Sequence, residues 1–196
     1  MPATRHQPAV SPGRGARERI LAGAYELYYR HGINVTGVTE LCAGARVSKR
    51  TLYQHFASKD EVIAAYLAAV AADSGHPPHV VLQRKDLAPR ARLLELYPTL
   101  AAGPRPLRGC PFVNAAVEVS DPTHPARLVA TAYKREFADR LGALAREAGA
   151  RSAEQLGRRL ALLYDGAAAQ VTLYDDPAPA AEAQALAAAL LRDAID

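Results

Sequence analysis

An all-α fold, a small three-helix head on a larger helical body, is predicted by three features of this 196-residue chain. Its apolar half, 49% of residues, is mostly Ala and Leu, which head the helix scale, while β-branched residues are sparse. Apolar residues recur at spacings of three and four in one segment after another, and Pro- and Gly-bearing stretches separate them. Charge is uneven: through Lys59 there are 9 Lys/Arg against 3 Glu, and from Asp60 onward 15 against 17 Asp/Glu, within a net charge of +4. A basic head on a slightly acidic body directs a polyanion to one end only.

Residues 1–14 hold Pro2, Pro8, Pro12 and Gly13 among few apolar residues and read as a flexible arm. The first helix follows, from Gly15 to His31, striped by Ile20, Leu21, Ala24, Leu27 and Tyr28, with Gly32 as a left-handed cap. Thr36 is the expected N-cap of a second helix that turns Val38, Leu41 and Cys42 inward and ends near Ala45. Val47 plugs the small core, and Ser48 caps a third, short helix. Its outer face carries Lys49, Arg50, Thr51, Tyr53, Gln54 and His55, while Leu52 and Phe56, four apart, face inward. Ser58-x-x-Glu61 is a capping box that opens a fourth helix, Lys59 to Ala72, with Val62, Ile63, Tyr66, Leu67 and Val70 on one side. Short helices meeting at tight turns form a helix-turn-helix over residues 15–58, and the polar face of its last helix suits DNA. The helix at 59–72 is the connector.

Residues 73–85 are expected to be a loop, because Asp73-Ser-Gly-His-Pro-Pro-His79 does not sustain a helix. The body, residues 86–196, begins with a fifth helix bearing Leu87, Leu93, Leu94, Tyr97 and Leu100 and stopped by Ala102-Gly-Pro-Arg-Pro106. A shorter one spans Gly109 to Glu118 with Pro111 in its first turn, and Asp121-Pro-Thr-His-Pro125 breaks the chain. A long helix from Pro125 to about Ala148 carries Val129, Tyr133, Phe137, Leu141 and Leu144. The last two helices, from Ser152 to Asp175 and from Ala180 to about Ala194, are rich in Ala and Leu. They are the expected dimer surface, through Leu156, Leu160, Leu163, Ala167, Val171, Leu186, Leu190 and Leu191. The competing reading has them complete the chain's own core.

No apolar run approaches the ~18 residues of a membrane span, and the first residues lack a signal-peptide core, so a cytoplasmic protein is expected. Cys42 and Cys110 lie in unrelated contexts, so no disulfide is indicated. His76 and His79 stand three apart without a neighbouring Cys or carboxylate pair, and no metal or cofactor is expected. Glu118, Asp121 and His124 come at intervals of three like an acid/base set, yet Asp121-Pro and His124-Pro read as breaks and caps, and no enzyme is expected.

The stretch Val47-Ser48-Lys49-Arg50-Thr51-Leu52-Tyr53-Gln54-His55-Phe56, followed by Ser58-Lys59-Asp60-Glu61 and preceded by Gly32 and Thr36, resembles the TetR family of bacterial transcriptional regulators. Gly109-Cys110-Pro111-Phe112-Val113-Asn114 with Glu118 resembles the body of one branch. The departure is Arg46, where the family usually has Gly in the turn before Val47. The resemblance implies a homodimer on a palindromic double-stranded DNA operator. Lys49, Arg50 and Gln54 would read base edges, while Thr36, Ser48, Thr51, Tyr53, His55 and Lys59 would hold phosphate or methyl groups, and Arg46, as a departure from the family pattern, either keeps the glycine-like turn or shifts it slightly and adds a phosphate contact of its own. It also implies repression relieved by a small hydrophobic or aromatic effector among Leu93, Leu96, Tyr97, Cys110, Phe112, Val113, Val117, Tyr133, Phe137 and Tyr164. A transcriptional activator, or a thiol-based redox sensor using Cys110 beside Arg105 and Arg108, is the alternative.

Overall fold

The computed structural model describes residues 15–102 and 107–195, and every regular element among them is helical. The all-α expectation holds. The proposed arm at 1–14, Arg105 and most of the stop at 102–106 lie outside the described residues.

The chain divides into two units, and the division is not head-to-tail. The first comprises the chain up to Asp73 together with Pro111–Ala132; the second comprises Ser74–Cys110 and Tyr133–Asp196. Sequence reading assigned 111–132 to the body, whereas its contacts are with the head.

In the first unit, α1 (Ala16–His31) packs on α2 (Val38–Ala45), α3 (Lys49–His55) and α4 (Lys59–Ala72). Ile20, Leu41, Leu52, Phe56, Val62 and Leu67 are sealed from water, so truncating any of them to Ala would cost roughly 2–5 kcal/mol. Tyr66 meets Tyr28 edge-on, with ring centres 5.6 Å apart, and the Arg17 guanidinium lies 5.3 Å from the Phe56 ring centre. Gly32 does end α1 with positive φ (+101°), but its ψ of 163° is extended rather than left-handed helical. α7 (Pro111–Glu118) and the start of α8 (Pro125–Glu147) complete this unit.

The second unit contains α5 (Pro77–Leu82), α6 (Pro89–Glu95), a 3-10 turn at Tyr97–Ala101, the remainder of α8, α9 (Ala153–Tyr174) and α10 (Ala178–Ile195). Two expectations are corrected. The loop at 73–85 contains α5, because Pro77 and Pro78 occupy its first positions, where no amide donor is needed. The single fifth helix is split, because Pro98 cannot continue the α pattern and the chain tightens to 3-10.

α8 and α9 touch backbone to backbone at Gly142 and Gly157. A Cβ on Gly157 would stand 2.4 Å from the Gly142 nitrogen, so no other residue fits there. α9 and α10 form the principal helix pair of this unit. Leu156, Leu160, Ala167, Val171 and Leu191 are buried within the chain itself. They are therefore not available to a partner, which corrects the expected dimer list. Their stripe satisfies the chain's own core. Leu163 and Leu190 are half-buried and Leu186 is exposed.

Candidate functional site

The turn between α2 and α3 is built by an unusual residue. Arg46 adopts the left-handed conformation, φ 53° and ψ 51°, that most side chains avoid. Its amide donates to the Ala43 carbonyl at 3.1 Å and the Val47 amide to Cys42 at 3.0 Å, closing a Schellman-type end on α2. Arg19 adds its Nε to the Ala45 carbonyl at 3.4 Å. The turn thus keeps the shape a glycine would give it, with an exposed cation at its tip.

Ser48 caps α3 as expected: its Oγ accepts the Thr51 amide at 3.0 Å, and the two hydroxyls are 2.9 Å apart. Leu52 and Phe56 anchor the inner face. On the outer side Ser48, Lys49, Arg50, Tyr53, Gln54 and His55 are all exposed, and Thr51 is half-buried. A capped helix, anchored on α1 and α2 through its inner face, therefore presents donors, cations and a phenol on its outer side.

Two predicted contacts are placed differently. Thr36 is fully buried, and its hydroxyl donates to the Gly32 carbonyl at 2.7 Å, an acceptor left open at the end of α1. It neither caps α2, whose N-cap is Gly37, nor faces solvent. Lys59 is half-buried and donates its ammonium to the Ile33 carbonyl at 2.7 Å. The capping box beside it forms with a shift: Ser58 Oγ accepts the Glu61 amide at 3.1 Å, while the Glu61 carboxylate accepts from Ala57 at 2.6 Å, one residue before the cap.

In the second unit, six of the predicted effector residues are buried: Leu93, Leu96, Tyr97, Tyr133, Phe137 and Tyr164. Their rings run in a chain, with Tyr97–Tyr164, Tyr164–Phe137 and Phe137–Tyr133 centres 6.0, 5.3 and 6.3 Å apart. The polar tips are satisfied: Tyr97 donates to the Leu160 carbonyl at 3.1 Å, and the Tyr164 hydroxyl lies 3.2 Å from that of Thr99. Burial pushes all three phenols well up, so they remain neutral hydrogen-bonding groups. Cys110 is half-buried, and Cys42 is buried in the first unit.

Of the remaining effector candidates, one is buried in the first unit and two are exposed. Phe112 is buried within the first unit. Val113 and Val117, four apart on α7, are on its open side, Val117 at 78% exposure, because Phe112 and Ala115 fill the inner face. What sequence reading missed is His79, which is buried with its Nε2 3.3 Å from the Tyr133 hydroxyl. The pair His76 and His79 was visible in the sequence; the aromatic partner was not. A recess lined by His79, Tyr133, Glu136, Phe137 and Arg140 opens beside this cluster but has no room for a water molecule.

Residues 20–66 match the domain of bacterial regulatory proteins of the tetR family, and residues 89–187 match the tetracyclin repressor-like C-terminal domain. The chain belongs to the TetR family. Solved structures agree. The sav143 protein of Streptomyces avermitilis, described as a TetR-type transcriptional regulator, is 33% identical over 92% of this chain and 98% of its own, with a TM-score of 0.81. The TetR-family transcriptional regulator SCO4454 of Streptomyces coelicolor is 30% identical over 92% of this chain and 96% of its own, at 0.82. Reduced NemR of E. coli is 25% identical over 88% and 94%, at 0.78. No curated protein matched the chain.

As a member of the TetR family it is a DNA-binding regulator of the ligand-responsive type and not an enzyme. The Glu118, Asp121 and His124 series has structural work instead. Asp121 accepts the amide and hydroxyl of Thr123, at 2.8 and 2.7 Å, bonds that hold its carboxyl below the usual range. His124 lies 3.3 Å from Asp60. Among the described residues no helix is long and apolar enough to cross a membrane.

Proposed function

We propose that this TetR-family protein is a cytoplasmic repressor that binds a palindromic operator as a homodimer and leaves it when a small aromatic or hydrophobic molecule binds. The observation that carries the DNA half is the exposed row Lys49, Arg50, Tyr53, Gln54 and His55 on a helix whose other face is sealed by Leu52 and Phe56. Arg50 and Lys49 suit guanine, Gln54 suits adenine, and Tyr53, His55 and Arg46 suit the phosphate backbone. Two such helices would enter successive major grooves about 34 to 36 Å apart.

The effector half is supported by the aromatic chain from Tyr97 to Tyr133. Its faces suit a planar apolar molecule, and its neutral hydroxyls suit one or two polar groups on it. Because the cluster is closed, a ligand enters by displacing a ring, and that displacement is what couples the two sites.

A second reading is favoured by the partial exposure of Cys110, in contrast to buried Cys42, and by similarity to a relative crystallised specifically in a reduced form. In that reading the effector acts on the Cys110 thiol. Activation in place of repression is the remaining alternative for the direction of control.

The test is selection of genomic DNA fragments by the purified protein, followed by a salt titration on the best one. One recovered palindrome with steep salt dependence supports the reading. Weak binding indifferent to sequence would overturn it.

A further inference from the structure

Asn34 and Glu118 are 84 residues apart, yet they clasp each other twice. The Asn34 backbone amide donates to the Glu118 carboxylate at 2.8 Å, and the Asn34 side-chain amide donates to the Glu118 carbonyl at 3.0 Å. Gly32 permits the approach: a Cβ there would lie 3.1 Å from both carboxylate oxygens. Glu118 is itself held in place, because Arg127 donates to the carbonyls of Ala116 and Val119 at the end of α7.

Adjoining ties reach the same loop. Lys59, the first residue of α4, donates to the Ile33 carbonyl at 2.7 Å. His124 accepts the Ala126 amide on Nδ1 at 3.1 Å, which leaves Nε2 to donate to Asp60 at 3.3 Å. The loop from Gly32 to Gly37 leads straight into α2, and the turn at Arg46 fixes α3 to α2. What holds this loop therefore helps to set the angle of α3, together with the packing of α1 on α2 and α3.

We propose that Glu118 is a positioning residue for DNA recognition: the last residue of α7 holds the α1–α2 loop, and through it α3, in the orientation that reads an operator. The proposal rests on the DNA-binding reading above. Glu118 touches no DNA and acts through Asn34. It also gives α7, which begins one residue after Cys110, a direct grip on the head.

The experiment compares full-length wild type, Glu118→Ala, Glu118→Gln and Asn34→Ala by hydrogen exchange and by affinity for the selected fragment and a scrambled duplex. In Glu118→Ala, exchange in the peptide containing Asn34 should rise about tenfold, and affinity for the selected fragment should fall about tenfold, as expected for losing a charged acceptor. Protection of α9 and α10 and affinity for the scrambled duplex should change less than about twofold. Glu118→Gln, which keeps an acceptor oxygen, should recover most of the loss. Asn34→Ala, which loses only the side-chain arm, should shift both readouts less in the same direction and stands in should Glu118→Ala not fold.

Unchanged exchange at Asn34 would overturn the clasp with DNA binding intact. Faster exchange with unchanged specific affinity, or equal loss on both duplexes, would overturn the positioning role. A wild-type chain that selects no fragment fails the DNA-binding reading, and the proposal with it, before any substitution is made.

Discussion

The amide of Val47 donates to the carbonyl of Cys42 at 3.0 Å across a left-handed Arg46. A residue with a Cβ pays about 1–2 kcal/mol for that conformation, partly offset by the lower chain entropy it loses relative to glycine. Arg46→Gly should therefore stabilise the protein by about 0.5–1 kcal/mol in urea unfolding. If the exposed guanidinium also meets a phosphate, the same substitution lowers the slope of log K against log salt by about 0.9. A stabilised protein with an unaltered slope would assign Arg46 to the turn alone.

Arg50 and Lys59 should behave differently. Arg50 is exposed on the outer face of α3, so Arg50→Ala should cost about 1–3 kcal/mol on the best fragment and relax preference at one base pair. Lys59 is tied to the Ile33 carbonyl of the loop that Glu118 also holds, so Lys59→Ala should weaken the best fragment and each of its single-base variants by a similar factor, leave the scrambled duplex little affected, and lower unfolding stability as well. Competition assays on a set of single-base variants separate the two. A change of sequence preference in Lys59→Ala would contradict its assignment.

How much was legible in the sequence differs from element to element. Ser48, Leu52 and Phe56 sit within nine residues of one another, so capping and periodicity were enough to place α3 and its outer face. Thr36 was misread because a hydroxyl has several local acceptors, and the Gly32 carbonyl took it in preference to the α2 amides. Glu118 and Asn34 had no local signal at all, since their contact exists only once α7 has docked. On α9 both faces are apolar, and spacing alone does not say which one the chain covers itself.

Burial raises the phenols of Tyr28, Tyr97, Tyr133 and Tyr164. The folded chain thus keeps protons that the unfolded chain releases above about pH 10. Their contribution to stability is complete below that pH and is lost as pH rises beyond it. In an alkaline titration followed by phenolate absorbance, these four of the nine tyrosines should ionise only together with loss of helical signal. Gradual ionisation of every tyrosine with the helices intact would mean that the aromatic cluster admits water.

The dimer should form through the stripe on α9 that the chain leaves open. Leu162, Gly166, Ala169 and Leu173 are exposed at spacings of four, three and four, which places them on one side of the helix, and Leu186 on the neighbouring α10 is exposed as well. In a two-fold interface each of these residues is used twice. Replacing Leu162 and Leu173 together by Glu removes four buried leucines per dimer and introduces four charges. At about 1.5 kcal/mol or more for each leucine, the dissociation constant should rise at least about ten-thousandfold. Sedimentation should then report a folded monomer, and affinity for a palindrome should collapse towards that of a half-site. A substitution in the inner stripe, such as Leu160→Ala, should instead lower unfolding stability by roughly 2–5 kcal/mol. A double variant that still sediments as a dimer would move the interface to another face of the molecule.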